Sequence, residues 1–106
     1  MEFVETHLFS KYVDELLTDD DYALLQALLS ANPKIGDLIP GGRGLRKVRW
    51  RSSETSRGKR GGTRVIYYGL STDRILFVYI YAKNRQSGLS KEELRILSTY
   101  TRGNHG

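Results

Sequence analysis

The apolar positions change period several times along the chain, and each change marks an element. Phe3 and Val4 form a short apolar opening that reads as a first strand. Phe9, Val13, Leu16 and Leu17 then recur at i, i+4, i+7 and i+8, the stripe of an amphipathic helix beginning near Leu8. A second helix is predicted from Thr18, where a capping hydroxyl and three acids, Asp19 to Asp21, suit the positive end of the helix dipole. Tyr22, Leu25, Leu28 and Leu29 give it a core face, and Asn32-Pro33 ends it. Residues 34–44, rich in Gly and Pro, read as a loop.

From Leu45 the period becomes two. Val48 and Trp50 point to one face of a strand and Lys47, Arg49 and Arg51 to the other. Thr63 to Leu70 and Ile75 to Lys83, rich in Val, Ile, Tyr and Phe, are two strong strands joined by the turn Ser71-Thr72-Asp73-Arg74. With Leu70 opposite Ile75, the pairs run back through Val65–Ile80 and Arg64–Tyr81 to Gly62–Lys83. Arg64, Tyr81 and Lys83 then share a face at the open end of the hairpin, together with Ile66, Tyr68, Phe77 and Tyr79. Tyr67, Tyr68 and Tyr79 are expected to be packed, whereas Tyr81 stays open between packing and chemistry. A last helix is punctuated by a capping box, Ser90 with Glu93, and takes its apolar face from Leu94, Leu97 and Tyr100. The order strand, helix, helix, three strands, helix describes an α+β domain over residues 1–106. Two N-terminal helices would cover one face of an antiparallel-rich sheet, leaving the other exposed, basic and partly aromatic.

Charge sharpens this picture. The net charge of +5 conceals a strong asymmetry: −6 over residues 1–40, +8 over 41–64 and +3 over 65–106. A concentrated basic block points to a polyanion, most economically nucleic acid. One outward cation on a strand is a solvated surface; three in register at Lys47, Arg49 and Arg51 suit a phosphate-facing one. Ser52 to Gly61 is a polar, glycine-bearing loop carrying Arg57, Lys59 and Arg60, and its flanking glycines let the backbone approach phosphates closely. It is not a Walker A loop, because Gly58-Lys59 is followed by Arg60 and the earlier glycine is missing.

Other classes recede. The chain has no cysteine, which excludes disulfides, thiolate metal sites and thiol catalysis. No apolar run reaches the roughly 20 residues of a membrane span, and no export signal opens the chain, consistent with a cytoplasmic protein. His7 and His105 lie at opposite ends, giving no basis for a histidine pair, and no carboxylate cluster suits a two-metal site. No metal and no small-molecule cofactor are expected.

The element order, Asn32-Pro33, Leu45-Arg46-Lys47-Val48-Arg49, the run from Gly58 to Tyr68 and Tyr81-Ala82-Lys83-Asn84 together resemble the RelE/ParE toxin superfamily over roughly Phe3 to Tyr100. The Gly-Lys-Arg-Gly-Gly-Thr-Arg run and the Lys-Asn pair are most similar to its HigB-like branch. The resemblance implies a RelE-like fold of order βααβββα and the toxin of a bacterial type II toxin–antitoxin pair. HigB-like and RelE-like members cleave mRNA in the ribosomal A site without metal; ParE-like members inhibit DNA gyrase, which is the alternative reading. The implied partners are a cognate antitoxin, HigA-like and DNA-binding, and the ribosome with its mRNA.

In RelE-like members two strand lysines, an arginine opening the next strand, an arginine after the last strand and a tyrosine serve the reaction. By that resemblance the strand lysines correspond to Lys47 and Arg49, and the strand-opening arginine to Arg64. The later arginine is replaced by Asn84, and the tyrosine has no counterpart near Leu89. Lys83 and Tyr81 are then the candidates for proton transfer beside Arg64 and Lys47. Arg46, Arg49, Arg51, Arg57, Lys59, Arg60, Asn84 and Arg85 are expected to contact RNA or ribosome.

Overall fold

The computed structural model describes residues 1–51 and 62–102. Strand β1 (Glu2–Glu5) leads into helix α1 (His7–Leu16), which Thr6 caps. The Thr6 hydroxyl accepts from the Phe9 amide at 3.0 Å and donates to the Val78 carbonyl at 2.8 Å, so the cap also pins the helix to the sheet. Helix α2 (Asp19–Ala31) starts on Thr18, whose hydroxyl accepts from the Asp21 amide at 3.0 Å, and carries Asp19, Asp20 and Asp21 in its first turn. The hydroxyls of Ser10 and Tyr22 both donate to the Glu5 carboxylate, joining β1, α1 and α2.

Four further strands follow: β2 (Asp37–Leu38), β3 (Arg46–Trp50), β4 (Thr63–Ser71) and β5 (Arg74–Ala82). The sheet order is β1-β5-β4-β3-β2, with β1 parallel to β5 and every other pair antiparallel. Strand β2 falls where the sequence predicts a loop, so the order is βααββββα. Two residues are too few to show a period, and β2 exists because Asp37 and Leu38 pair with Lys47 and Arg46.

Helices α1 and α2 cover one face through Phe9, Val13, Leu16, Leu17, Leu25 and Leu29, packed on Val65, Tyr67, Ile75, Phe77, Ile80 and Ala82. Leu28, expected in that core, is 40% exposed, because the core stripe of α2 passes through Tyr22, Leu25 and Leu29 instead. Phe77 also departs from expectation. The register pairs Arg64 with Tyr81, Val65 with Ile80 and Ile66 with Tyr79 as the hairpin predicts, but then shifts so that Tyr67 meets Phe77 and Gly69 meets Ile75. That bulge turns Phe77 to the helical face, where its ring lies 4.9 Å from Phe9 and 5.5 Å from Phe3.

The second face is not left open along its length. Helix α3 (Lys91–Ser98), fixed by the Ser90–Glu93 capping box, packs across it. Leu97 joins Leu45, Ile66, Val78 and Tyr81 in a second core, with Ile39, Leu89 and Leu94 against it. Tyr100 lies beyond α3 in a short 3-10 turn, Thr99–Thr101, and is 38% exposed rather than packed. The part of this face that α3 leaves free is the end carrying the cations.

Candidate functional site

Outward alternation on β3 presents Lys47 and Arg49 on the face opposite α1 and α2. The strand register then does the assembling. Arg49 stands directly opposite Arg64 on β4, and Arg64 stands opposite Tyr81 on β5, so three strands bring one row together. Lys83 follows β5 immediately, and its amide donates to the Gly62 carbonyl at 3.0 Å. Gly62 has φ +70°, and a Cβ there would lie 2.4 Å from the Trp50 carbonyl oxygen. Only glycine lets β4 start this close to the end of β3, which places Arg64 beside Arg49.

Asp37, Lys47, Arg49, Arg64, Lys83 and Ser87 line one cleft of about 170 Å³. Arg64 is 6% exposed, and its guanidinium is pushed below the usual range by burial first and then by the charges of Arg49 and Arg51. It remains a cation at physiological pH, since arginine is not deprotonated in proteins. Directly opposed like charges destabilise a strand pair, and burial raises the cost. An anion entering the cleft would relieve both.

Tyr81 is 5% exposed and belongs to the core under α3, not to the cleft lining. Burial raises its phenol and the adjacent Arg64 opposes that, with Glu93 adding to the rise. A phenol so raised can donate a proton or hydrogen bond at neutral pH but is a poor base. Its ring lies 5.8 Å from Tyr79, whose hydroxyl donates to the Gln86 side-chain oxygen at 3.3 Å. Gln86 Nε2 in turn donates to Glu93 Oε1 at 3.2 Å, and that carboxylate holds the start of α3.

The remaining predicted residues are dispersed. Arg46 points to the other side of β3, where its guanidinium donates to the carbonyls of Gly36 at 2.7 Å and Lys34 at 3.4 Å. Arg51 is exposed just past β3 and close enough to act on Arg64. Asn84 is exposed in the turn after β5, outside the cleft lining. Arg85 sits beside Tyr12 and Glu15 at a separate depression. Arg57, Lys59 and Arg60 lie outside the described residues.

Two cleft residues, Asp37 and Ser87, are not among those the sequence singles out. The one signal for Asp37 is that it is the single acid in the stretch 34–44. Among the described residues no three His, Cys, Asp or Glu side chains converge, and the cleft lining holds a single carboxylate. The arrangement can therefore bind a phosphate through several cations and offer one oxygen acid–base group beside it.

The family model described as the RelE toxin of the RelE/RelB toxin–antitoxin system matches residues 1–104. Among solved structures, E. coli toxin RelE, in the free state and with two arginines replaced by alanine, superposes with a TM-score of 0.60. The match has 12% sequence identity and covers 95% of this chain and 96% of that one, a likeness of fold.

Proposed function

The chain belongs to the RelE toxin family of toxin–antitoxin systems, and from that premise we propose that it is a ribosome-dependent, metal-independent mRNA endoribonuclease. One observation carries the reading: a buried arginine, Arg64, held against Arg49 in a cleft that Lys47 and Lys83 also line. Cations set opposite one another with one of them buried are an arrangement that an anionic substrate balances. The 2′-hydroxyl attacks the adjacent phosphate, negative charge grows on the phosphoryl oxygens, and the 5′-oxygen leaves. Arg64 and Arg49 meet that charge, with Lys47 and Lys83 flanking it. Ribosome dependence fits a cleft rich in phosphate-binding cations, because the ribosome would supply the splayed, oriented mRNA.

The Gly58 to Arg64 run and Lys83-Asn84 support a HigB-like toxin with a HigA-like antitoxin. The cleft cations favour cleavage over gyrase inhibition, since inhibition by binding alone has no use for a desolvated arginine. Primer extension on mRNA in programmed ribosomes, run beside a gyrase supercoiling assay, tests the reading. Cleavage with unimpaired supercoiling is expected. Arg64→Ala should remain folded and lose about 10²–10³-fold in rate, the scale of removing one transition-state charge contact. Intact mRNA with blocked supercoiling would replace the nuclease reading by the gyrase one.

A further inference from the structure

Binding charge accounts for only part of a cleavage reaction; something must also take the 2′-hydroxyl proton. Lys47, Arg49, Arg64 and Lys83 are donors in their charged forms, Ser87 is a weak base, and Tyr81 is buried with a raised phenol. Among the described residues, Asp37 is the one carboxylate lining the cleft. It stands directly opposite Lys47 in the β2–β3 pair. Among the described residues the ion pairs are Glu2–Arg74 and Glu92–Arg95, so no cation there ties up the Asp37 oxygens at ion-pair distance.

The backbone leading to Asp37 is built with unusual care for a two-residue strand. Gly36 sits in close contact with its neighbours; its amide donates to the Tyr67 hydroxyl at 2.9 Å and its carbonyl accepts from Arg46 at 2.7 Å. The Tyr67 hydroxyl donates onward to the Pro33 carbonyl at 2.8 Å. A Cβ on Gly36 would meet Tyr67 Cε1 at 2.8 Å and the Lys47 carbonyl oxygen at 2.9 Å. Position 37 is therefore clamped from the helical side of the sheet while its side chain lines the opposite side. Asp37 itself is exposed, on the edge strand of the sheet.

We propose that Asp37 is the general base of the cleavage reaction, an inference that rests on the nuclease reading above. The 2′-hydroxyl proton passes to the Asp37 carboxylate as the 2′-oxygen–phosphorus bond forms. The phosphorus–5′-oxygen bond breaks, and the Lys83 ammonium supplies the proton that the departing oxygen needs. The products are a 2′,3′-cyclic phosphate and a 5′-hydroxyl, and exchange with water restores both groups. Arg46 and Tyr67 act through Gly36 as positioning residues.

The test is single-turnover cleavage in programmed ribosomes with two mRNAs, one ordinary and one carrying sulfur in place of the 5′-bridging oxygen, which leaves without a proton. Asp37→Asn is expected to lower the rate about 10²–10⁴-fold on both substrates, with ribosome affinity unchanged or tighter. Lys83→Gln should be slow on the ordinary mRNA and recover on the sulfur one. Should Asp37→Asn cleave at the wild-type rate, or recover on the sulfur substrate, Asp37 is not the base. If that variant fails to fold, Asp37→Ser decides: a folded protein slowed on both mRNAs supports the assignment, and one that cleaves at the wild-type rate overturns it. A wild-type protein that leaves both mRNAs intact removes the nuclease reading, and this one with it.

Discussion

Arg46 and Arg49 lie on one short strand, yet parity gives them opposite roles. Arg49 faces the cleft against Arg64, while Arg46 holds the carbonyls of Lys34 and Gly36 on the other side. Tyr67, 1% exposed, reinforces the Arg46 contacts by joining Pro33 to Gly36 through one hydroxyl. Tyr67→Phe removes both bonds and leaves the Gly36 amide without its acceptor. A loss of about 1–3 kcal/mol in urea unfolding is expected, with slower cleavage at unchanged ribosome affinity, because β2 carries Asp37. Unchanged stability would mean that the hydroxyl does not hold this loop. The cations of the cleft are legible in sequence for physical reasons. Alternation fixes the side of β3 on which Lys47 and Arg49 emerge, and turn placement fixes the partner of Arg64. Asp37 is not legible, since a two-residue strand has no period and its pairing is a tertiary fact.

Between elements, the hairpin of β4 and β5 shows what a constant register can and cannot give. Pairs near the open end follow it, so Arg64 and Tyr81 oppose each other as the sequence indicates. The bulge beyond Ile66 is invisible in the pattern, because Phe77, Val78 and Tyr79 are all apolar and suit either face. It sends Phe77 to the helices and leaves Val78 and Tyr79 under α3. The capping box marks that helix in the sequence, but nothing local marks its docking face, and its packing converts part of an expected open surface into core. Ser90→Ala removes the side-chain acceptor of the Glu93 amide, 3.0 Å away. A cost of about 1 kcal/mol is expected, a fall of about 4–8 °C in Tm for a domain of this size. Cleavage at low temperature should be nearly unchanged, since Ser90 does not line the cleft; a large loss of rate in the folded variant would show that α3 also orders the site.

Across the whole molecule the charge asymmetry becomes a difference between faces. The exposed acids Asp14, Glu15, Asp19 and Asp20 ride on helices packed on one side of the sheet, and the cleft cations emerge on the other. Such a dipole orients approach to a polyanion and keeps the acidic side away from it. No described helix is long and apolar enough to cross a membrane. Contacts to phosphate release counterions, and for single strands log K falls with log salt at about 0.7 per phosphate neutralised. If Arg49 and Arg64 share the scissile phosphate while Lys47 and Lys83 each meet a flanking one, binding of an mRNA fragment should fall with a slope of about −2. Lys47→Gln should flatten that slope by about 0.7, whereas Asp20→Asn, on the far face, should leave it unaltered. Fluorescence anisotropy between low and physiological salt measures all three. A slope near zero, or equal slopes for the wild-type protein and Lys47→Gln, would show that phosphates do not occupy this cleft.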